Sequence, residues 1–274
     1  MTSHPRKVRA CFCLPLALCL LIPACSPGSH PAPAPHRLTQ VSVIDALMVG
    51  RYDGVMPIAE LLRHGDFGLG TLDHLDGELI IVDGKAYQVR GDGVVEDVPA
   101  ARSTPFASVT TFAPQGERDC PKADRLEELE ARLDGAMPQK NHFVAVRIDG
   151  RFDSLTMRSV PRQEPPYRPL DEVAKGQSVW TRTDQQGTLI GLRSPAWAGG
   201  LNVPGYHWHF LSADRKTGGH ILDVKVRDGR VRHDVCGEWS IVLDPSPDFD
   251  QADLVKDRSK ELHRVESSRG AGRE

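Results

Sequence analysis

The chain has 274 residues, 39% of them hydrophobic and 26% charged, with a formal net charge of −3. That length and composition suit a folded body with a sizeable core, and the near-balanced charge, with no basic stripe, argues against a nucleic-acid partner. Of six cysteines, four (Cys11, Cys13, Cys19 and Cys25) lie in the first 25 residues, so the body is no disulfide-dense scaffold.

Arg6, Lys7 and Arg9 precede an apolar run from Cys11 to Ile22 that ends in Leu21-Ile22-Pro23-Ala24-Cys25. A core of about twelve residues is too short for an ordinary transmembrane helix, which needs about twenty. Residues 1–25 therefore read as a signal peptide of the lipoprotein type, with Cys25 as the lipidated anchor on the periplasmic side; ordinary secretion after cleavage near Ala24 is the alternative. Residues 26–37, with prolines at alternate positions, predict an extended tether reaching roughly 37 Å at about 3.1 Å per residue.

Residues 43–49 and 57–63 predict short helices, the second with proline at its first position. Alternating runs at 78–82 and 86–90, separated by Asp83-Gly84, predict a meander. Asp124 is positioned to cap a one-striped helix carrying Leu126, Leu129 and Leu133. Strands follow at 142–148 and 152–160 with Asp149-Gly150 as a turn. Pro161, Pro165, Pro166 and Pro169 then mark a boundary. Beyond it, strands are expected at 188–192, 206–211, 220–226 and 230–235, with Asp228-Gly229 turning the last pair. The expected fold class is α+β in two closely packed subdomains. Residues 38–165 form a mixed-sheet half with helices, and 166–266 a mainly antiparallel half; 267–274 are expected to be a disordered tail. Cys120 and Cys236 are left open between a disulfide and two free thiols.

His207 and His209 alternate on one predicted strand face, and His220 follows a turn-forming Lys216-Thr217-Gly218-Gly219. If residue 209 lies opposite 220, three imidazoles converge. Three neutral histidines leave Zn²⁺ its charge and an open position, the catalytic pattern. A lone buried histidine is more often a hydrogen-bonded core residue, and the spacing alone selects no reaction. The Gly-rich Gly65 to Gly70 stretch is no phosphate loop, because the preceding strand and the lysine are missing.

Four stretches occur in order: His64-Gly65-Asp66-Phe67-Gly68-Leu69-Gly70-Thr71, Leu75-Asp76-Gly77-Glu78, Arg158-Ser159-Val160-Pro161-Arg162-Gln163 and Gly200-Leu201-Asn202-Val203-Pro204-Gly205-Tyr206-His207-Trp208-His209-Phe210. Together they strongly resemble the α-acetolactate decarboxylase family, from about Ala46 to Asp223 and more weakly to Glu266. The resemblance implies that His207, His209 and His220 bind Zn²⁺, that Glu78 and Glu266 are active-site carboxylates, that Arg158 contacts substrate, and that Thr71 lines the site. Taken singly, Glu78, Arg158 and Glu266 would pass as solvated charges. It also implies decarboxylation of 2-acetolactate to acetoin, the enediolate being stabilised by the metal and protonated by Glu78, and a homodimer. Acetolactate is a β-keto acid whose ketone is its own electron sink, so neither pyridoxal phosphate nor thiamine is needed. Trp208 departs from the aliphatic residue expected there and should point away from the histidines. The leader is a second departure. The rival readings are another zinc lyase, hydratase or hydrolase, and a lipid-anchored metal-binding protein without turnover.

Overall fold

A computed structural model describes residues 1–2 and 36–266. The leader, its Cys25, nearly all of the tether and the 267–274 tail lie outside the described residues. The tether ends sooner than expected: His36 Nδ1 sits 2.6 Å from Asp234 Oδ1, and Arg37 already begins a strand. Among the described residues, no helix is long and apolar enough to cross a membrane.

In chain order the strands are β1 (Arg37–Val41), β2 (Met56–Pro57), β3 (Phe67–Thr71), β4 (Glu78–Val82), β5 (Lys85–Val89), β6 (Val95–Asp97), β7 (Ser103–Thr104), β8 (Ala107–Thr110), β9 (Gly116–Asp119), β10 (Phe143–Ser159), β11 (Ser178–Ser194), β12 (Gly205–Ser212), β13 (Gly218–Cys236) and β14 (Glu238–Val242). The helices are α1 (Ile44–Met48), α2 (Ile58–Leu61), α3 (Leu126–Ala136), α4 (Leu170–Val173), α5 (Pro247–Asp250) and α6 (Ser259–Glu266). A seven-stranded sheet runs β14-β1-β8-β3-β4-β5-β6, mixed because β14 and β1 are parallel. An antiparallel sheet runs β10-β11-β12-β13-β9 and closes back through β10–β13. The fold class is the α+β arrangement expected.

The boundary at 165/166 does not separate these sheets. Strands β9 and β10 precede it and belong to the second sheet, while β14 follows it and pairs with β1. The four prolines interrupt the chain without dividing a core: Leu38, Phe67, Ile80 and Val89 of the first sheet share one apolar cluster with Phe143, Ala145, Ile190, Leu192 and Leu211 of the second. The outer face of the second sheet is covered by Leu129, Leu133 and Met137 on and just after α3.

The Asp-Gly dipeptides behave in two ways. Asp83 and Gly84 both have positive φ, 54° and 73°, and turn β4 into β5 as expected. Asp149-Gly150 and Asp228-Gly229 do not turn; each lies inside one long strand, β10 of 17 residues and β13 of 19. Gly150 pairs with both Gly187 and Gly229, and a Cβ on it would meet the Asp228 carbonyl oxygen at 2.4 Å. These glycines therefore serve close backbone approach at a bend, where the β10–β13 register shifts between Arg151 and Phe152. The cap of α3 also differs from expectation: the Leu126 N–H donates to Asp223 Oδ1 at 2.9 Å, and Asp124 pairs with Lys225 instead. Cys120 and Cys236 are buried free thiols, each pushed up to about 12 by burial.

Two glycine substitutions separate these roles. Gly150→Ala forces a Cβ against backbone that cannot yield and should cost about 1–3 kcal/mol. Gly135→Ala, in α3 with open space around it, should stabilise by about 0.5–1 kcal/mol. Urea midpoints at unchanged slope measure both; equal shifts would show that Gly150 is not required for close approach.

Candidate active site

The site is assembled from both sheets and α6. His207 and His209 alternate on β12 and so share a face. The β12–β13 register pairs His209 with His220, the alignment that the spacing required. The turn itself lies at residues 213–217, where Ser212 Oγ accepts from the Lys216 and Thr217 N–H groups. Gly218 and Gly219 are already in β13, and a Cβ on Gly218 would meet the Phe210 carbonyl at 2.7 Å. Trp208 faces the other way, stacked on Tyr206 and donating Nε1–H to Glu130 Oε1 at 3.1 Å.

Around the three rings the other expected residues converge. His207 Nε2 lies 3.2 Å from His209 Nε2 and 3.1 Å from His220 Nδ1. Strand β10 carries Arg158 opposite His220. Its guanidinium reaches Glu78 Oε1 of β4 and Glu266 Oε1 at the end of α6, both at 3.4 Å. Glu78 Oε2 is 3.4 Å from His209 Nε2, and Glu266 Oε2 is 3.6 Å from His220 Nε2. Thr71, paired with Glu78 across β3–β4, lines the same chamber and donates its hydroxyl to the Gly77 carbonyl at 2.7 Å, fixing the turn that precedes Glu78. Sequence reasoning missed the apolar wall opposite, built from Leu47, Leu75, Phe106 and Leu170. Nothing in the local spacing of these residues distinguishes them from ordinary core.

Burial dominates the electrostatics. It drives His207 down to about 3, and His209 and His220 well below the usual histidine range, with Arg158 adding to the effect at all three. Burial raises Glu78 to about 7 against the pull of Arg158, and Glu266 repels in the same upward direction. Glu266 is also raised by burial. The rings are therefore neutral, with lone pairs free for a metal. His209 Nδ1 lies 2.9 Å from the Leu79 carbonyl, to which only a protonated Nδ1 can donate, and this leaves Nε2 as the bare nitrogen. His207 Nδ1 and Glu266 Oε2 are buried without hydrogen-bond partners. Crowded neutral nitrogens beside an unpartnered carboxylate oxygen fit a shared divalent cation, and all three histidines group as potential ligands.

The family model for alpha-acetolactate decarboxylase matches residues 38–256. The chain is 44% identical over 229 residues to the alpha-acetolactate decarboxylase of Methanosarcina mazei, covering 84% of this chain and 80% of that protein. It is 36% identical over 233 residues to the Bacillus subtilis protein of the same name, covering 85% and 91%. The crystal structure of alpha-acetolactate decarboxylase from Bacillus subtilis strain 168 superposes with a TM-score of 0.82 at 36% identity, over 85% of this chain and all of that one. Glu266 lies beyond the family-model match and is placed in the site by the fold.

The opposed shifts have a measurable consequence. Unfolded histidines take up protons near pH 6.5 but the buried rings do not, so the metal-free protein should lose stability as pH falls from 7 to 5. Glu78 works in the opposite sense. Folded, it holds its proton up to about 7, while the unfolded carboxyl releases it near 4.5, so acidification through that window stabilises. Glu78→Gln should therefore steepen the fall in melting temperature between pH 7 and 5. An equal or shallower fall in the variant contradicts the assignment.

Proposed function

The chain belongs to the alpha-acetolactate decarboxylase family, which makes it a decarboxylase of acetolactate, and we propose that it forms acetoin with a zinc ion held by His207, His209 and His220. The observation that carries this reading is the meeting of three neutral imidazoles, Arg158 and two carboxylates in one buried chamber. Zn²⁺ with three nitrogen ligands supplies Lewis acidity toward the oxygens on which charge develops.

The protein's own groups account for the rest. Arg158 holds both glutamates at 3.4 Å and keeps a buried Nε without a partner, so it has donor capacity for a substrate oxygen. The apolar wall of Leu47, Leu75, Phe106 and Leu170 excludes water and favours departure of uncharged CO₂ from the carboxylate. The electron pair of the breaking C–C bond passes to the ketone, leaving an enediolate. Glu78, raised by burial, is the carboxyl placed to hold a proton and deliver it to the carbon from one side. One-sided delivery fixes the handedness of acetoin. Thr71 holds Glu78 in place through Gly77.

We further propose that residues 1–25 export the protein and that Cys25 anchors it by lipid, on the strength of the basic flank, short apolar core and Ala24-Cys25 ending. We also propose a homodimer, which the family resemblance implies.

Metal analysis of the purified protein together with acetoin formation from racemic acetolactate tests the central proposal. Zinc without acetoin sinks the reaction, and full activity after chelation sinks the zinc. Glu78→Gln should retain metal and lose about 10²–10⁴-fold in kcat; near-normal turnover would assign the proton to another group. In the originating kind of cell, Cys25→Ser should shift the protein out of the membrane fraction, and unchanged fractionation excludes the anchor.

A further inference from the structure

A cavity of about 900 Å³ lies against the catalytic chamber, which itself offers only about 40 Å³. His220 and Glu266 line both spaces and form the wall between them. The larger cavity is bounded by α1 and α3, by the loop leading into β12, and by the C-terminal segment that ends in α6. Among the described residues, its Arg258 has no carboxylate within hydrogen-bond distance, although Asp45 lies near enough to feel its charge. The Arg258 side chain is 10% exposed, and one of its terminal nitrogens donates to the Lys256 carbonyl at 3.0 Å. Its carboxylate neighbour, Asp253, is 3.8 Å away and itself 68% exposed. A largely covered guanidinium with so distant a carboxylate can offer donors to an anion.

We propose that this cavity is the antechamber of the catalytic site and that Arg258 binds the carboxylate of a small aliphatic acid there, on its way to the chamber behind His220 and Glu266. The inference rests on the decarboxylase reading, which makes the substrate a monocarboxylate. Arg258 immediately precedes α6, whose eight residues rise about 12 Å, so an anion bound at one end lies one short helix from Glu266 at the other. Acidic groups also line the cavity. Burial pushes Glu130 up to about 7, and it raises Asp45 too, against the pull of Arg258. Asp45, Glu127 and Asp257 oppose an anion, and that balance makes Arg258 a site of transient capture.

Arg258→Gln should raise KM for acetolactate about tenfold, change kcat less than twofold, and flatten the dependence of kcat/KM on ionic strength; Arg258→Lys should restore most of both. An unchanged KM and salt dependence in folded Arg258→Gln overturns the proposal, as does a loss confined to kcat. If Arg258→Gln does not fold, Arg258→Lys decides alone: it should keep the wild-type salt dependence with KM within threefold, and loss of both overturns the assignment. Should the wild-type protein form no acetoin, the decarboxylase reading fails separately. Acetate titration followed by NMR then still tests the anion site, with weaker binding in Arg258→Gln supporting it and equal binding refuting it.

Discussion

A buried hydrogen bond ties the two halves of the site together: His209 Nδ1–H to the carbonyl of Leu79 at 2.9 Å. His209 belongs to the second sheet and Leu79 to the first, one residue after Glu78. The contact therefore sets two things together. It fixes which nitrogen of His209 is bare, and it fixes how far the β4 backbone, and with it the Glu78 carboxyl, stands from the imidazoles. Because side chains alternate along a strand, a one-residue slip of β4 or β12 would remove Glu78 or both histidines from the chamber. The shared apolar cluster between the sheets holds that register.

Charge explains why the chamber holds these groups and no others. Arg158 carries the sole fixed positive charge among the residues that meet there, set against two carboxylates. Buried charges must be paired, and one guanidinium cannot neutralise both glutamates. Burial eases the imbalance in the protein alone by raising both carboxyls, which favours their neutral forms. With Glu78 protonated, a divalent ion on the histidines, Arg158 and an ionised Glu266 would leave two positive charges, which favours binding a monocarboxylate substrate. The same residues thus suit proton storage and anion binding.

Much of this was legible in the chain. The His207, His209 and His220 spacing gave the correct register because a strand period of two and a short turn leave few other alignments. Trp208 faced away for the same reason. Glu78, Arg158 and Glu266 are legible only through the family resemblance, since each sits in a local context that suits a solvated charge. Only the fold puts Glu266, at the end of an amphipathic eight-residue helix, within 3.4 Å of Arg158. Nothing local marks Arg258, because its significance lies in a cavity assembled from segments far apart in sequence.

The unturned Asp-Gly pairs and the undivided core across the prolines share one cause. A turn signal states what the backbone permits, and the neighbouring strands decide whether it is used. At Asp83-Gly84 the chain takes positive φ and reverses. At Gly150 and Gly229 the glycines stack across paired strands, so the missing side chains admit backbone rather than allow reversal. Strand β10 consequently runs unbroken for 17 residues, from the core facing the first sheet to Arg158 at the site. A hairpin at Asp149-Gly150 would have ended that strand halfway and left the guanidinium with no path to the chamber. The prolines that follow do not close a domain; they release the chain after β10 has delivered Arg158, and the chain returns through β14 to pair with its own first strand. The site draws on residues from both sides of the prolines, so neither half of the chain contains the chemistry by itself.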